Sequence, residues 1–98
     1  MEVPVSGWVN KGGTDDSVCS CGTWKQHWIN FAGQPWPEVC SVSACLRVPI
    51  LGAHIQNAQY TGEHIVPMCG ICNGRGGAFS LTPPVYLASA NRGNTCGY

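Results

Sequence analysis

Two close pairs of cysteines, Cys40 with Cys45 and Cys69 with Cys72, flank a stretch that also holds His54 and His64. Soft thiolate donors in two such pairs are what a tetrahedral zinc site needs. Each pair sits on a tight turn, so two sulfurs converge from one loop and the other loop closes the tetrahedron. Cys69-Gly70-Ile71-Cys72 has the form of a zinc knuckle, in which Gly70 lets backbone amides turn toward the sulfurs. Cys40 to Cys45 is a longer version of the same device and stays within tolerated spacing. The expectation is a structural zinc held by Cys40, Cys45, Cys69 and Cys72. Buried free thiols or disulfides are the bland alternative.

The chain has seven cysteines, which leaves Cys19, Cys21 and Cys96 outside that set. With His27 they make a group of three sulfurs and one imidazole, sufficient for a second zinc. The Cys19-Ser20-Cys21 spacing is less usual for this, because alternating side chains point apart. A disulfide from Cys19 or Cys21 to Cys96 competes with it, and three free thiols are the least specific reading. The expectation is a structural tie of some kind between the N-terminal segment and Cys96. A nucleophilic cysteine served by His27 or His54 lacks any local mark of an activated thiolate. The glycine-rich run from Asn73 to Gly77 is no phosphate loop, since no Lys-Ser/Thr follows it.

The order Cys40…Cys45, then Gly52-Ala53-His54-Ile55, then His64-Ile65-Val66-Pro67-Met68-Cys69 with Cys72-Asn73, resembles the zinc-stapled form of the HNH endonuclease motif. The resemblance covers about a third of the chain. It implies that His54 is the general base activating water, that His64 braces the loop, and that Asn73 ligates magnesium or another divalent ion. Three positions depart from the pattern. Ala53 stands where the family has an acidic metal ligand, so a hard oxygen donor is missing. His64 replaces asparagine, and Gly74-Arg75-Gly76-Gly77 stands where the family continues into a long helix. The resemblance therefore implies a treble-clef or zinc-ribbon fold ahead of nuclease chemistry. His54 and His64 also read as satisfied histidines of a hairpin, or as replacement zinc ligands.

Few elements are available to position these side chains. Thr23 to Phe31 carries the best helical signal: Thr23 is an N-cap, and Trp24, His27, Trp28 and Phe31 share one face. Gly33, Pro35 and Pro37 stop it. That aromatic face is expected to supply core, with Trp36 packing nearby. Arg47 to Gln56 and His64 to Met68 read as two short strands joined by a polar loop. Val3 to Val9 is an edge strand limited by Pro4, Asn73 to Gly77 a flexible turn, and Val85 to Ala90 a last strand.

With 98 residues, thirteen glycines and seven prolines, the chain is near the size below which a core needs cross-links. Residues 1–98 are expected to form a single zinc-binding domain. It comprises an extended arm at 1–18, a helix at 23–33, the zinc-binding HNH-like core at 40–73, and a C-terminal strand and tail at 85–96. The fold class expected is a small zinc-stabilised α+β domain, treble-clef or zinc-ribbon-like, with short antiparallel strands and one short helix. Charged residues are only 10% and the net charge is zero, with no basic patch to neutralise phosphates. No apolar run suggests a membrane span or a leader, so a cytoplasmic protein with reduced cysteines is expected. The leading reading is a non-catalytic zinc-stabilised interaction module whose partner, protein or nucleic acid, the sequence does not name. The alternatives are an HNH-type endonuclease using His54 and a secreted disulfide-rich effector.

Overall fold

The Thr23 side chain opens the first helix, α1 (Trp24–Phe31), by accepting the Gln26 N–H at 3.0 Å. Ala32 caps the other end, and Gly33 follows at φ +72°, the left-handed conformation that glycine adopts without strain. The computed structural model describes residues 3–11, 20–91 and 95. The expected arm at 1–18, the tail beyond 85, and the cysteines at 19 and 96 therefore lie partly or wholly outside the described residues.

Beneath α1 is a four-stranded antiparallel sheet in the order β1 (Trp8–Asn10), β2 (Leu51–Asn57), β3 (Tyr60–Met68), β4 (Ala88–Ser89). The expected polar loop between the central strands is itself strand. β2 and β3 meet at the turn Ala58-Gln59, which Asn57 builds by accepting the Gln59 N–H at 2.9 Å. Its amide also donates to the Ser6 carbonyl at 2.8 Å, so the turn is anchored to the chain entering β1. Such self-bonding is why asparagine starts turns so readily. The last strand is shorter than the expected 85–90.

Register sorts the strands into two faces, because side chains alternate along each strand. His54 lies opposite Ile65 and Gly52 opposite Pro67, while Ala53 opposes Val66, Leu51 opposes Met68 and Ile55 opposes His64. On the face of His54 and Ile65, α1 packs through buried Trp28 with Ala88, assisted by half-buried Trp24 and Trp36. Gly52 admits the helix. A Cβ there would stand 2.5 Å from the Trp24 carbonyl carbon and oxygen. The aromatic face is not uniformly buried as expected: Phe31 is 42% exposed. His27, one turn back, fills the space against the sheet, and the Phe31 ring lies over it at 5.0 Å.

The opposite face carries the larger core, which joins Trp8, Val42, Ala53, Ile55, Val66, Met68, Phe79 and Leu81 to Cys40, Cys69 and Cys72. A second helix, α2 (Gly70–Gly74), closes this side. Only one helix was expected, and 73–77 was read as a flexible turn. The correction is a single helical turn, which Cys69 nucleates as N-cap and which glycines at both ends do not prevent. Asn10 of β1 supports its other end, donating to the Cys72 and Arg75 carbonyls at 2.9 and 3.0 Å. The result is a small α+β fold with a four-stranded antiparallel sheet and two helices. No helix among the described residues is long and apolar enough to cross a membrane.

Candidate metal centre

Two local structures bring the cysteine pairs together. The Cys40–Cys45 loop folds on itself through Cys40 N–H to the Arg47 carbonyl at 2.8 Å and Cys45 N–H to the Val42 carbonyl at 3.0 Å. Ala44 adopts φ 67° there, a left-handed non-glycine residue immediately before a sulfur donor. The loop is fastened to the end of β3 by Ser41 N–H to the Pro67 carbonyl (3.0 Å) and Ile50 N–H to the Met68 carbonyl (3.1 Å). Cys69 follows β3 directly and caps α2, whose first turn carries Cys72.

The four sulfurs of Cys40, Cys45, Cys69 and Cys72 all lie within 4.8 Å of one another. Cys45 Sγ is 3.8 Å from Cys69 Sγ. Zinc–sulfur bonds of about 2.3 Å at tetrahedral angles place ligand sulfurs about 3.8 Å apart, so the cluster can hold such an ion with small adjustments. Its surroundings fit the same purpose. The Cys69 and Cys72 amides donate to the sulfurs of Cys40 and Cys69, each at 3.4 Å, and Arg47 Nη1 approaches Cys45 Sγ at 3.9 Å. Amide dipoles and a guanidinium stabilise the negative charge of bound thiolates. This four-cysteine cluster in a small α+β chain fits a zinc-ribbon-like domain.

Electrostatics favour a cation at the cluster. Burial pushes the Cys72 thiol up to about 12, with its neighbouring cysteines adding to the rise, and burial likewise raises Cys40. Cys45 runs the other way, lowered to about 7 chiefly by the Arg47 backbone N–H. One sulfur is therefore ready to ionise near neutrality while Cys40 and Cys72 hold their protons. A divalent ion removes that conflict by binding the thiolates together.

The remaining candidate residues are separated. His54 sits on the α1 face, 6% exposed, with its ring 4.4 Å from that of Trp24. Its Nδ1 lies 3.5 Å from Glu63 Oε2, yet neither ring nitrogen makes a hydrogen bond. His64 is on the other face, against Tyr60 at 5.1 Å and Trp8 at 6.2 Å. Ala53, where the HNH resemblance would have an acidic ligand, is 2% exposed in the larger core. Asn73 is exposed on α2. The sheet thus divides His54 from His64 and from the sulfur cluster, with neither histidine among the clustered ligands. At the start of α1, Cys21 Sγ is 4.0 Å from His27 Nδ1, while Cys19 and Cys96 lie outside the described residues.

Sequence reasoning missed two features near the metal centre. Leu46, Val48, Ile50 and Ile71 are 83%, 67%, 63% and 63% exposed, although all are large and apolar. A groove of about 400 Å³ also opens between Trp28, Trp36, Pro37, Leu81 and Pro84. Spacing of cysteines gives no signal for either. The alternation of apolar residues at 46, 48 and 50 was the available clue, in a segment read as strand. Comparisons with protein-family models, curated proteins and solved structures return no match to this chain.

Proposed function

We propose that Cys40, Cys45, Cys69 and Cys72 hold one structural zinc ion, and that the chain is a zinc-stabilised interaction module without catalysis. The observation that carries the reading is the convergence of the four sulfurs within 4.8 Å inside the larger core. Zinc would neutralise the thiolates and join the Cys40–Cys45 loop to α2 across the end of the β2–β3 hairpin. The order of loop, hairpin and short helix resembles a treble clef. The binding face in this proposal is the apolar ridge over the metal centre: Leu46 adjoins Cys45, Ile71 lies between Cys69 and Cys72, and Ile50 reaches α2 at Gly70. Exposed apolar clusters of this kind mark contact surfaces.

Two measurements test it. Removing zinc with a strong chelator under reducing conditions should collapse the dispersed amide NMR spectrum, because the metal ties together the larger core. A spectrum unchanged by chelation would refute the zinc reading. Replacing Leu46 and Ile71 together with Ser should leave zinc content and Tm near those of the parent chain. A large loss of stability would assign the ridge to the fold and remove the binding argument.

The HNH-type alternative keeps the order of its cysteine pairs and a histidine strand in its favour. It would require His54 to reach water and a cation from beneath Trp24. Metal-dependent nicking of a plasmid that disappears in His54→Ala would establish it, and no cleavage with magnesium, manganese or nickel is the outcome expected here.

A further inference from the structure

A second group of metal-binding character lies on the other face of the sheet. His27 is fully buried in the first turn of α1, and its Nε2 is 2.7 Å from the Ser89 carbonyl oxygen of β4. A carbonyl only accepts, so Nε2 carries the proton. In a neutral imidazole, Nδ1 is then the unprotonated nitrogen, with a lone pair that accepts. That lone pair lies 4.0 Å from Cys21 Sγ. Asn30, nine residues further along the chain, donates its amide to the same sulfur at 3.3 Å.

Each part of this arrangement is what a metal ligand pair requires. Ligating histidines donate their second ring N–H to a carbonyl or carboxylate, which fixes tautomer and orientation. Side-chain amides that donate to sulfur recur around metal-bound cysteines as outer-shell partners. Zinc bonds of about 2.3 Å to sulfur and about 2.0 Å to nitrogen hold those atoms about 3.5 Å apart in a tetrahedron. The observed 4.0 Å falls inside the spread of the four-cysteine cluster, whose sulfurs lie within 4.8 Å of one another.

We propose that Cys21 and His27 are ligands of a second ion of the zinc class, independent of the four-cysteine centre. Such an ion pins the start of α1, and His27 passes the constraint to β4 through Ser89. The chain's two remaining cysteines, Cys19 and Cys96, lie outside the described residues, and the proposal stands on the Cys21–His27 pair alone. The competing chemistry for this geometry is a metal-free thiolate–imidazolium pair, in which Nδ1 also carries a proton.

Native mass spectrometry of the reduced, zinc-loaded full chain should count two ions. Cys21→Ser should lose one and keep the other, and His27→Gln should do the same. Cys72→Ser should lose the ion of the four-cysteine centre, so failure of either reading is distinguishable from failure of the other. The cadmium-loaded parent chain supplies a test that needs no variant to fold. One cadmium resonance should show only cysteine couplings, and a second should couple to the His27 ring through Nδ1. A single ion per chain that Cys21→Ser does not affect would overturn the proposal. So would a protonated His27 Nδ1 in the cadmium-loaded chain, or the mass deficit of a disulfide at Cys21.

Discussion

Gly52 shows how much of the structure rests on a side chain that is missing. It faces α1 from β2, and a methyl group there would sit 2.5 Å from the backbone of Trp24 and 2.8 Å from the Lys25 nitrogen. Those atoms belong to the first helical turn, which cannot move aside as a flexible side chain could. Gly52→Ala should therefore cost about 3 kcal/mol, the upper end for overpacking, by lifting α1 from the sheet. Thermal unfolding of the zinc-loaded protein checks this, and an unchanged Tm would mean that α1 is seated elsewhere. The cysteines were legible at this scale because thiolate chemistry depends on residue type and spacing, both visible along the chain. Gly52 was not, since a glycine within a strand says nothing about which backbone approaches it. Ala53 and His54, its neighbours, were read through their chemical types, yet their surroundings depend on which face each occupies. That is a matter of register with β3, and register is a long-range property.

At the scale of elements, α1 separates what local signals determine from what packing determines. Its start at Thr23 and its stop before Gly33 follow from capping and backbone freedom, so both were legible. The division of its aromatic face was not. Trp28 is 3% exposed and donates its indole N–H to the Tyr86 carbonyl at 3.1 Å, whereas Phe31 is 42% exposed. Trp28→Ala should cost about 3–5 kcal/mol, because it empties the centre of the smaller core and leaves a carbonyl without its donor. Phe31→Ala should cost about 1 kcal/mol or less, in keeping with its partial exposure. Chemical denaturation of the two variants distinguishes them, and equal losses would show that the face is buried as a unit. The helix α2 was illegible for a related reason. Glycines at 70 and 74 argue against helix, but a sulfur cap at Cys69 and the Asn10 amide hold one turn in place. Neither partner could be inferred from the local pattern.

Over the whole molecule, two cores share one sheet, and each packs against a histidine that favours the neutral form, His54 buried and His64 half-buried. His54 is lowered from the ordinary 6.5 chiefly by burial, against the opposing pull of Glu63. His64 is lowered by burial too, with the Gly62 backbone acting in the opposite sense. In the unfolded chain both rings take up protons near 6.5, while in the folded chain they do so only at lower pH. Between those limits the unfolded state binds more protons, so stability rises with pH across the window. The contribution is complete above about 6.5 and is lost as the pH falls toward the folded values. Acid would also displace the proposed zinc by protonating its thiolate ligands, which moves stability in the same direction and could conceal the histidines. The two causes separate by substitution. Unfolding free energies measured from pH 7.5 down to about 5 at saturating zinc should fall more steeply for the parent chain than for a His54→Gln, His64→Gln double variant. Metal content followed in parallel identifies the pH at which thiolate protonation takes over. Identical slopes would mean that the two rings titrate alike in both states, and that the acid sensitivity of the fold belongs entirely to its clustered sulfurs.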